Sequence, residues 1–296
     1  MNSDMPSTTQ EQAVTSQYAL LDSGLGRKFE RFGPITLVRP CSQAIWRPSL
    51  AQGEWNTASA IFDRDKGLNW HGRESLPENW VIDVDGIKFR LSSTDFGHLG
   101  IFPEQRASWR WIGDTVRNAG RRLSVLNLFA YSGGSTMAAA LAGADPCHLD
   151  ASQGMVDWAR KNAELNGLKA HPIRWIVDDA HKFLSREVKR GRRYDGIILD
   201  PPSFGRGARG EVYKLERDLP RTLDLCRQVL SDSPAFVLLS AHTPGVTPVV
   251  LRHLLADALG AAGTGGAFEC GEMLLEGANG VRPVPSGCMA RWRAAP

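Results

Sequence analysis

The sequence predicts an α/β fold, a Rossmann-like doubly wound sheet preceded by a small antiparallel β domain, and three observations carry that reading. An apolar run, Val125-Leu-Asn-Leu-Phe129, leads into the glycine pair Gly133-Gly134; two further short runs end in acids, at Asp150 and at Asp178-Asp179; a fourth, Tyr194 to Asp200, closes on Pro201-Pro202. Strands alternating with helical patterns imply βαβ units and a parallel sheet, and such sheets bind ligands outside the carboxyl ends of their strands.

The amino-terminal part reads differently. Residues 1–20 are polar, lack the features of a signal or transit peptide, and are expected as a disordered tail. Residues 21–95 are expected to form the small β domain: Ile35 to Arg39, Ala44 to Trp46, Trp80 to Asp85 and Ile87 to Leu91 are short strand-like runs, and Asp85-Gly86 is a hairpin signal. Trp46, Trp55, Trp70 and Trp80 are read as filling that β core rather than stacking on bases. A linking helix over Ser108 to Asn118 opens the second domain, residues 96–296.

In the sheet domain the turn after the first strand comes first. Gly133-Gly134 lets the backbone turn sharply with nothing projecting above it, and the small-residue helix from Ser135 to Leu141 brings its positive end beside a ligand. Asp150 follows about 20 residues later, where doubly wound folds place the acid that takes ribose hydroxyls. Its alternative use is as cap of the helix from Gln153 to Asn166, a task open equally to Ser152. Trp158 on that helix is read as core. Asp179 at the end of the third strand either accepts from an adenine amino group, with Ala180 keeping the rim low, or caps the next helix. Together these features describe a pocket for a nucleotide-type cofactor, read as S-adenosylmethionine.

The fourth strand ends rigidly, so that Asp200 and the Pro201 carbonyl face the sheet edge, where with Pro202 and Phe204 they form the catalytic candidates. A carbonyl and an aromatic ring suit a flat base. Arg206 and Arg209, in the glycine-rich loop that follows, are placed to meet phosphates.

The run from Asn127 to Phe204 resembles the class I S-adenosylmethionine-dependent methyltransferases, and within them the bacterial group that acts on 23S ribosomal RNA to make 5-methylcytosine or 7-methylguanine. The shared motifs are N-L-F-x-Y-x-G, the D-x-S of Asp150-Ala151-Ser152, D-P-P-x-F, and Gly100 to Arg106 against G-x-F-x-D-Q-R. The match covers roughly residues 97–243 well and the flanks loosely. It implies a seven-stranded sheet closed by an antiparallel hairpin. It also implies a cofactor site from Asn127, Phe129, Ala130, Tyr131, Gly133, Asp150, Ala151, Ser152, Asp179, Ala180 and Asp200, closed by Gln105 and Arg106. One departure matters: Ser240 and Ala241 stand where the 5-methylcytosine members carry a nucleophilic cysteine.

After the fifth strand, Pro248 to Leu259 reads as a helix, and Ala267 to Leu275 and Gly287 to Arg293 as strands. A chain of 296 residues, 42% hydrophobic, has ample core for this architecture. Its net charge of +3 does not announce nucleic acid, so partners are read from local clusters. The 5 scattered cysteines suggest neither a disulfide framework nor a metal site, and fit the cytoplasm. No apolar run is long enough for a membrane helix. The expected activity is methyl transfer to an RNA base, most simply of 23S ribosomal RNA; methylation of a small molecule, with the β domain as lid, and a noncatalytic binding module are the alternatives.

Overall fold

The computed structural model describes residues 16–64, 67–206, 210–277 and 280–295. The chain opens with a five-stranded sheet in sequence order, from β1 (Tyr18–Gly24), β2 (Arg27–Phe32) and β3 (Ile35–Pro40) to β4 (Ala60–Asp63) and β5 (Asn69–His71). Neighbours are antiparallel except β3 and β4, whose connection carries the short helix α1 (Gln52–Trp55). Tyr18 to Leu20, expected in the tail, begin β1 because their side chains enter the core. Ala44 to Trp46 form no strand: their carbonyls accept from Gly26 and Leu25 and brace the β1–β2 turn instead. Each expected tryptophan anchors this region through its indole N–H, Trp46 to Ser23, Trp55 to Asp22, Trp70 to Thr94 and Trp80 to Phe32.

A separate hairpin, β6 (Trp80–Val84) and β7 (Ile87–Leu91), turns at Asp85-Gly86, both at positive φ (55° and 82°) as a tight hairpin turn demands. The helix α2 (Arg106–Arg117) then leads into alternating strands and helices: β8 (Ser124–Leu128), α3 (Gly134–Leu141), β9 (Asp145–Asp150), α4 (Gln153–Leu165), β10 (Arg174–Val177), α5 (Ala180–Lys189) and β11 (Gly196–Leu199). A small ribbon, β12 (Phe204–Arg206) and β13 (Val212–Lys214), precedes α6 (Leu215–Val229), β14 (Phe236–Ala241), α7 (Pro248–Leu259), β15 (Gly266–Leu275) and β16 (Val284–Ala294). The seven-stranded sheet runs β10-β9-β8-β11-β14-β16-β15, parallel up to β14 and antiparallel thereafter. The order reverses between β8 and β11. The expected site motifs lie at the carboxyl ends of these strands.

Alternation along the strands explains why the sheet is buried on both sides. Val125, Ile198 and Leu238 join one core, and Leu126, Ile197 and Val237 the other. The first core continues through Ile112, Phe89 and Ile82 to Leu37 and Leu20, so it reaches from the large sheet into the amino-terminal strands. Side chains of α4 and its C-cap seal the outer edge of β7: Asn162 accepts from Arg90 N–H while donating to the Ser132 carbonyl, and the C-cap Asn166 both accepts from and donates to the backbone of Lys88. No described helix is long and apolar enough to cross a membrane.

Candidate active site

Phe129 and Tyr131 sit at positive φ (56° and 49°), an unfavourable region for large side chains. Two bonds strap this loop to β9 and hold it there: Ala130 N–H donates to the Leu149 carbonyl at 3.0 Å, and Tyr131 N–H to Asp150 Oδ2 at 2.9 Å. The glycine pair serves packing rather than open space. Gly133 takes φ of 90°, and a Cβ on Gly134 would lie 2.6 Å from the Trp109 indole. The expectation of an unobstructed turn is corrected accordingly.

The loop borders a cavity of about 650 Å³. Asp150 lies on its wall with Oδ1 accepting from Ser152 N–H, while the Ser152 hydroxyl caps α4 by accepting from Met155 N–H. Burial raises the Asp150 carboxyl above its ordinary pKa, against the N–H groups of Ser152, Tyr131 and Ala151, which favour the carboxylate. Asp179 caps α5 by accepting from Lys182 N–H and also borders the cavity. Burial lifts the Tyr131 hydroxyl to about 12, and it stays neutral.

At the end of β11 a hydrogen-bonded cluster fixes the catalytic candidate. Ser240 Oγ donates to Asp200 Oδ1 at 2.7 Å, and Gln105 Nε2 donates to Asp200 Oδ2 and to Ser240 Oγ, both at 3.1 Å. The serine that replaces the expected cysteine therefore holds the acid. Gln105 is buried, and its Oε1 has no hydrogen-bond partner among the described residues. His242 Nε2 is 3.7 Å from Asp200 Oδ1, and its ring packs against Phe102, which in turn packs against Tyr131.

Of the expected site residues, Phe129, Tyr131, Asp150, Ala151, Ser152, Asp179, Ala180, Asp200, Pro201, Pro202 and Arg206 border this cavity. Gln105, Asn127, Ala130 and Gly133 line a narrow adjoining recess. Two residues depart from expectation, and a third falls outside the described residues. Arg106 does not close the site: its guanidinium forms a two-pronged pair with Asp85 in the hairpin turn. Phe204 is half exposed, packed under the Arg206 guanidinium rather than in the cavity wall. Arg209 lies outside the described residues. Sequence reasoning passed over His242, His98 and Tyr213, all on the cavity wall. The position of His242 just past a strand's carboxyl end was the available signal.

The donors and acceptors fit S-adenosylmethionine. Each Asp150 oxygen bonded to backbone keeps a lone pair for a ribose hydroxyl, and the orphaned Gln105 carbonyl suits an ammonium donor. Asp150, Asp179 and Asp200 border the cavity, with Asp178 and Glu211 paired to Arg186 and Lys182, and Arg206 is the one arginine on its wall among the described residues, a field that favours a sulfonium. The model of the S-adenosylmethionine-dependent methyltransferase family matches residues 36–257. The chain belongs to that family. The match extends well upstream of the segment legible from motifs. The methyltransferase is similar in structure to a SAM-dependent methyltransferase from Agrobacterium tumefaciens, 39% identical with a TM-score of 0.89, over 95% of this chain and 91% of that one. It is 32% identical over 165 residues to ribosomal RNA large subunit methyltransferase K of Neisseria meningitidis, covering 55% of this chain and 46% of the relative. For methyltransferase K/L of Shewanella loihica the identity is 32% over 171 residues, covering 57% and 23%. The match thus spans less than half of either curated relative. Among the described residues no group of three or more His, Cys, Asp or Glu could hold a metal ion.

Proposed function

We propose that this methyltransferase modifies a base of RNA, with 23S ribosomal RNA in the cytoplasm as its substrate. The observation that carries the reading is Asp200, held by Gln105 and Ser240 beside the rigid Pro201-Pro202 turn, a strand-end acid and carbonyl suited to the edge of a flat base. The names of the curated relatives support the same substrate. Bound S-adenosylmethionine supplies a methyl group already activated on a sulfonium. The protein's part is alignment, which contributes effective molarities on the order of 10⁵ to 10⁸ M. In this reading Asp150 takes the ribose hydroxyls, Asp179 and Ala180 border the adenine, and Asp200 accepts from the amino edge of the target base. Arg206 lies near the target's phosphates.

None of the 5 cysteines borders the cavity around Asp200. Cys147, Cys226 and Cys288 are buried with thiols pushed up by that burial, Cys147 to about 11, and Cys41, bordering a neighbouring cleft, is likewise raised. A thiolate nucleophile needs the opposite shift. Transfer therefore goes directly to a nucleophilic atom of the base, without a covalent enzyme–RNA adduct.

The test is methylation, by the purified protein with labelled S-adenosylmethionine, of 23S ribosomal RNA from a strain lacking the gene, followed by mass spectrometry of its nucleosides. One modified nucleoside absent from that strain and restored by the protein is expected. An unaltered profile with no label in RNA would overturn the reading in favour of a small-molecule acceptor.

A further inference from the structure

Two cavities of different electrical character meet at the ring of Phe102. The first, around Asp150 and Asp200, has acids outnumbering cations on its described wall, which suits a cationic cofactor and repels a polyanion. The second is a cleft of about 970 Å³ between the five-stranded sheet and the segment from Phe96 to Glu104, with Lys28, Arg39 and Arg64 along it and, among the described residues, Asp63 and Glu104 as its acids. Buried Glu30 engages Lys28 and Arg39 from beneath. Arg64, exposed on the cleft wall, makes no ion pair among the described residues, whereas the Arg27 guanidinium packs over the Trp55 ring, outside the cleft. The field of this group is felt at the junction: burial first, then Arg39, Arg64 and Lys28, hold the His98 imidazole below its ordinary pKa.

His98, Phe102 and His242 border both cavities, so the cleft opens directly onto Asp200. Phe96, 66% exposed, stands on the cleft wall as an unpaired aromatic face. Cations spaced along a groove with an aromatic platform are what a single strand of nucleic acid requires, phosphates on the first and a base on the second. We propose that this cleft is the path of the RNA strand: Arg64, with Lys28 and Arg39 behind it, takes phosphates, Phe96 stacks a base, and the target base passes His242 to reach Asp200. The proposal rests on the RNA reading above and assigns to the amino-terminal sheet the substrate contacts expected of the loop after the Pro-Pro turn.

Binding of a short fluorescein-labelled oligouridylate is measured by anisotropy across a salt series, for wild type, Arg64→Ala, Arg64→Glu, Phe96→Ala and Arg206→Ala, with S-adenosylmethionine affinity followed by calorimetry. Arg64→Ala is expected to bind RNA about threefold or more weakly at low salt, with the log–log salt slope reduced by up to about one. Phe96→Ala is expected to lose about fivefold or more, and Arg206→Ala less than Arg64→Glu, while cofactor affinity holds in the Arg64 and Phe96 variants. Arg64→Glu, on an exposed side chain, is expected to lose more than Arg64→Ala. Wild-type binding with an unchanged slope in both Arg64 variants would overturn the path and leave the RNA reading standing. Failure of the wild type to bind or methylate any RNA would overturn both.

Discussion

Asp150 spends both carboxylate oxygens on backbone N–H groups and still holds its proton more tightly than an ordinary aspartate, because burial outweighs those donors. As pH falls through that raised value the carboxyl gains a proton and loses an acceptor site, so cofactor affinity is expected to fall earlier than an ordinary carboxylate would allow. The fold itself moves the opposite way at this group, since the native state binds the proton more tightly than the unfolded chain. Calorimetry against pH checks this: Asp150→Asn should bind weakly with a flat profile, and Asp150→Ala should lose about 1.5 to 3 kcal/mol, the worth of a hydrogen bond to a charged group. Ser240→Ala releases one side of Asp200 and is expected to lower kcat without changing cofactor affinity; an unchanged kcat would remove Ser240 as a positioning residue. Single Cys→Ser variants should keep methyl transfer, and RNA containing 5-fluorocytosine should not become trapped; a stable adduct abolished by one substitution would overturn direct transfer. Asp150 and Asp200 were legible because an acid after an apolar run marks a strand end. Arg106 was misplaced because its partner, Asp85, lies on the hairpin turn, and no local pattern reveals that pairing. His242 was passed over although it follows a strand's carboxyl end, because that position alone, without a motif spacing, was the only signal it offered.

Among the elements, the strand and helix order of the large sheet followed from hydrophobic runs and their punctuation, down to the closing pair β15 and β16. The lodging of the β6–β7 hairpin did not. It was grouped with the amino-terminal strands, yet β7 is bonded to two asparagines of α4, a contact set by the fold and spanning more than seventy residues of chain. Asn162→Ala strands the Arg90 N–H and the Ser132 carbonyl in a buried place, at a cost of about 1 to 3 kcal/mol each at most. Denaturant unfolding should show that loss, and a smaller one for the more exposed Asn166→Ala. Gly100 is a second junction: at φ of 89°, its Cβ would approach the Trp158 ring to 2.2 Å. Gly100→Ala is therefore expected to destabilise the protein and loosen the segment carrying Phe102 and Gln105, read as a lower melting temperature with weaker cofactor binding.

Across the whole molecule, one core cluster joins the amino-terminal strands, the hairpin and one face of the seven-stranded sheet. A chain begun at residue 96 would uncover Trp109, whose ring packs 5.0 Å from Phe89, and is expected to be insoluble or partly unfolded by circular dichroism. Acid should act on the intact fold through His148. It is fully buried with Nδ1 on Thr136 and no partner for Nε2 among the described residues, and burial depresses it to about 3. The unfolded chain takes up this proton near pH 6.5 while the native state refuses it, so stability falls by up to about 1.4 kcal/mol per pH unit below that value. His148→Gln should flatten that part of the stability curve. The asparagine contacts on β7 have a further consequence, for life at high concentration. An open strand edge is a template for a strand from another copy, and Asn162 and Asn166 occupy that template with side chains of the same molecule. Losing them would turn the hairpin into a nucleus for self-association, so the double alanine variant should precipitate in proportion to its concentration even where its fold survives.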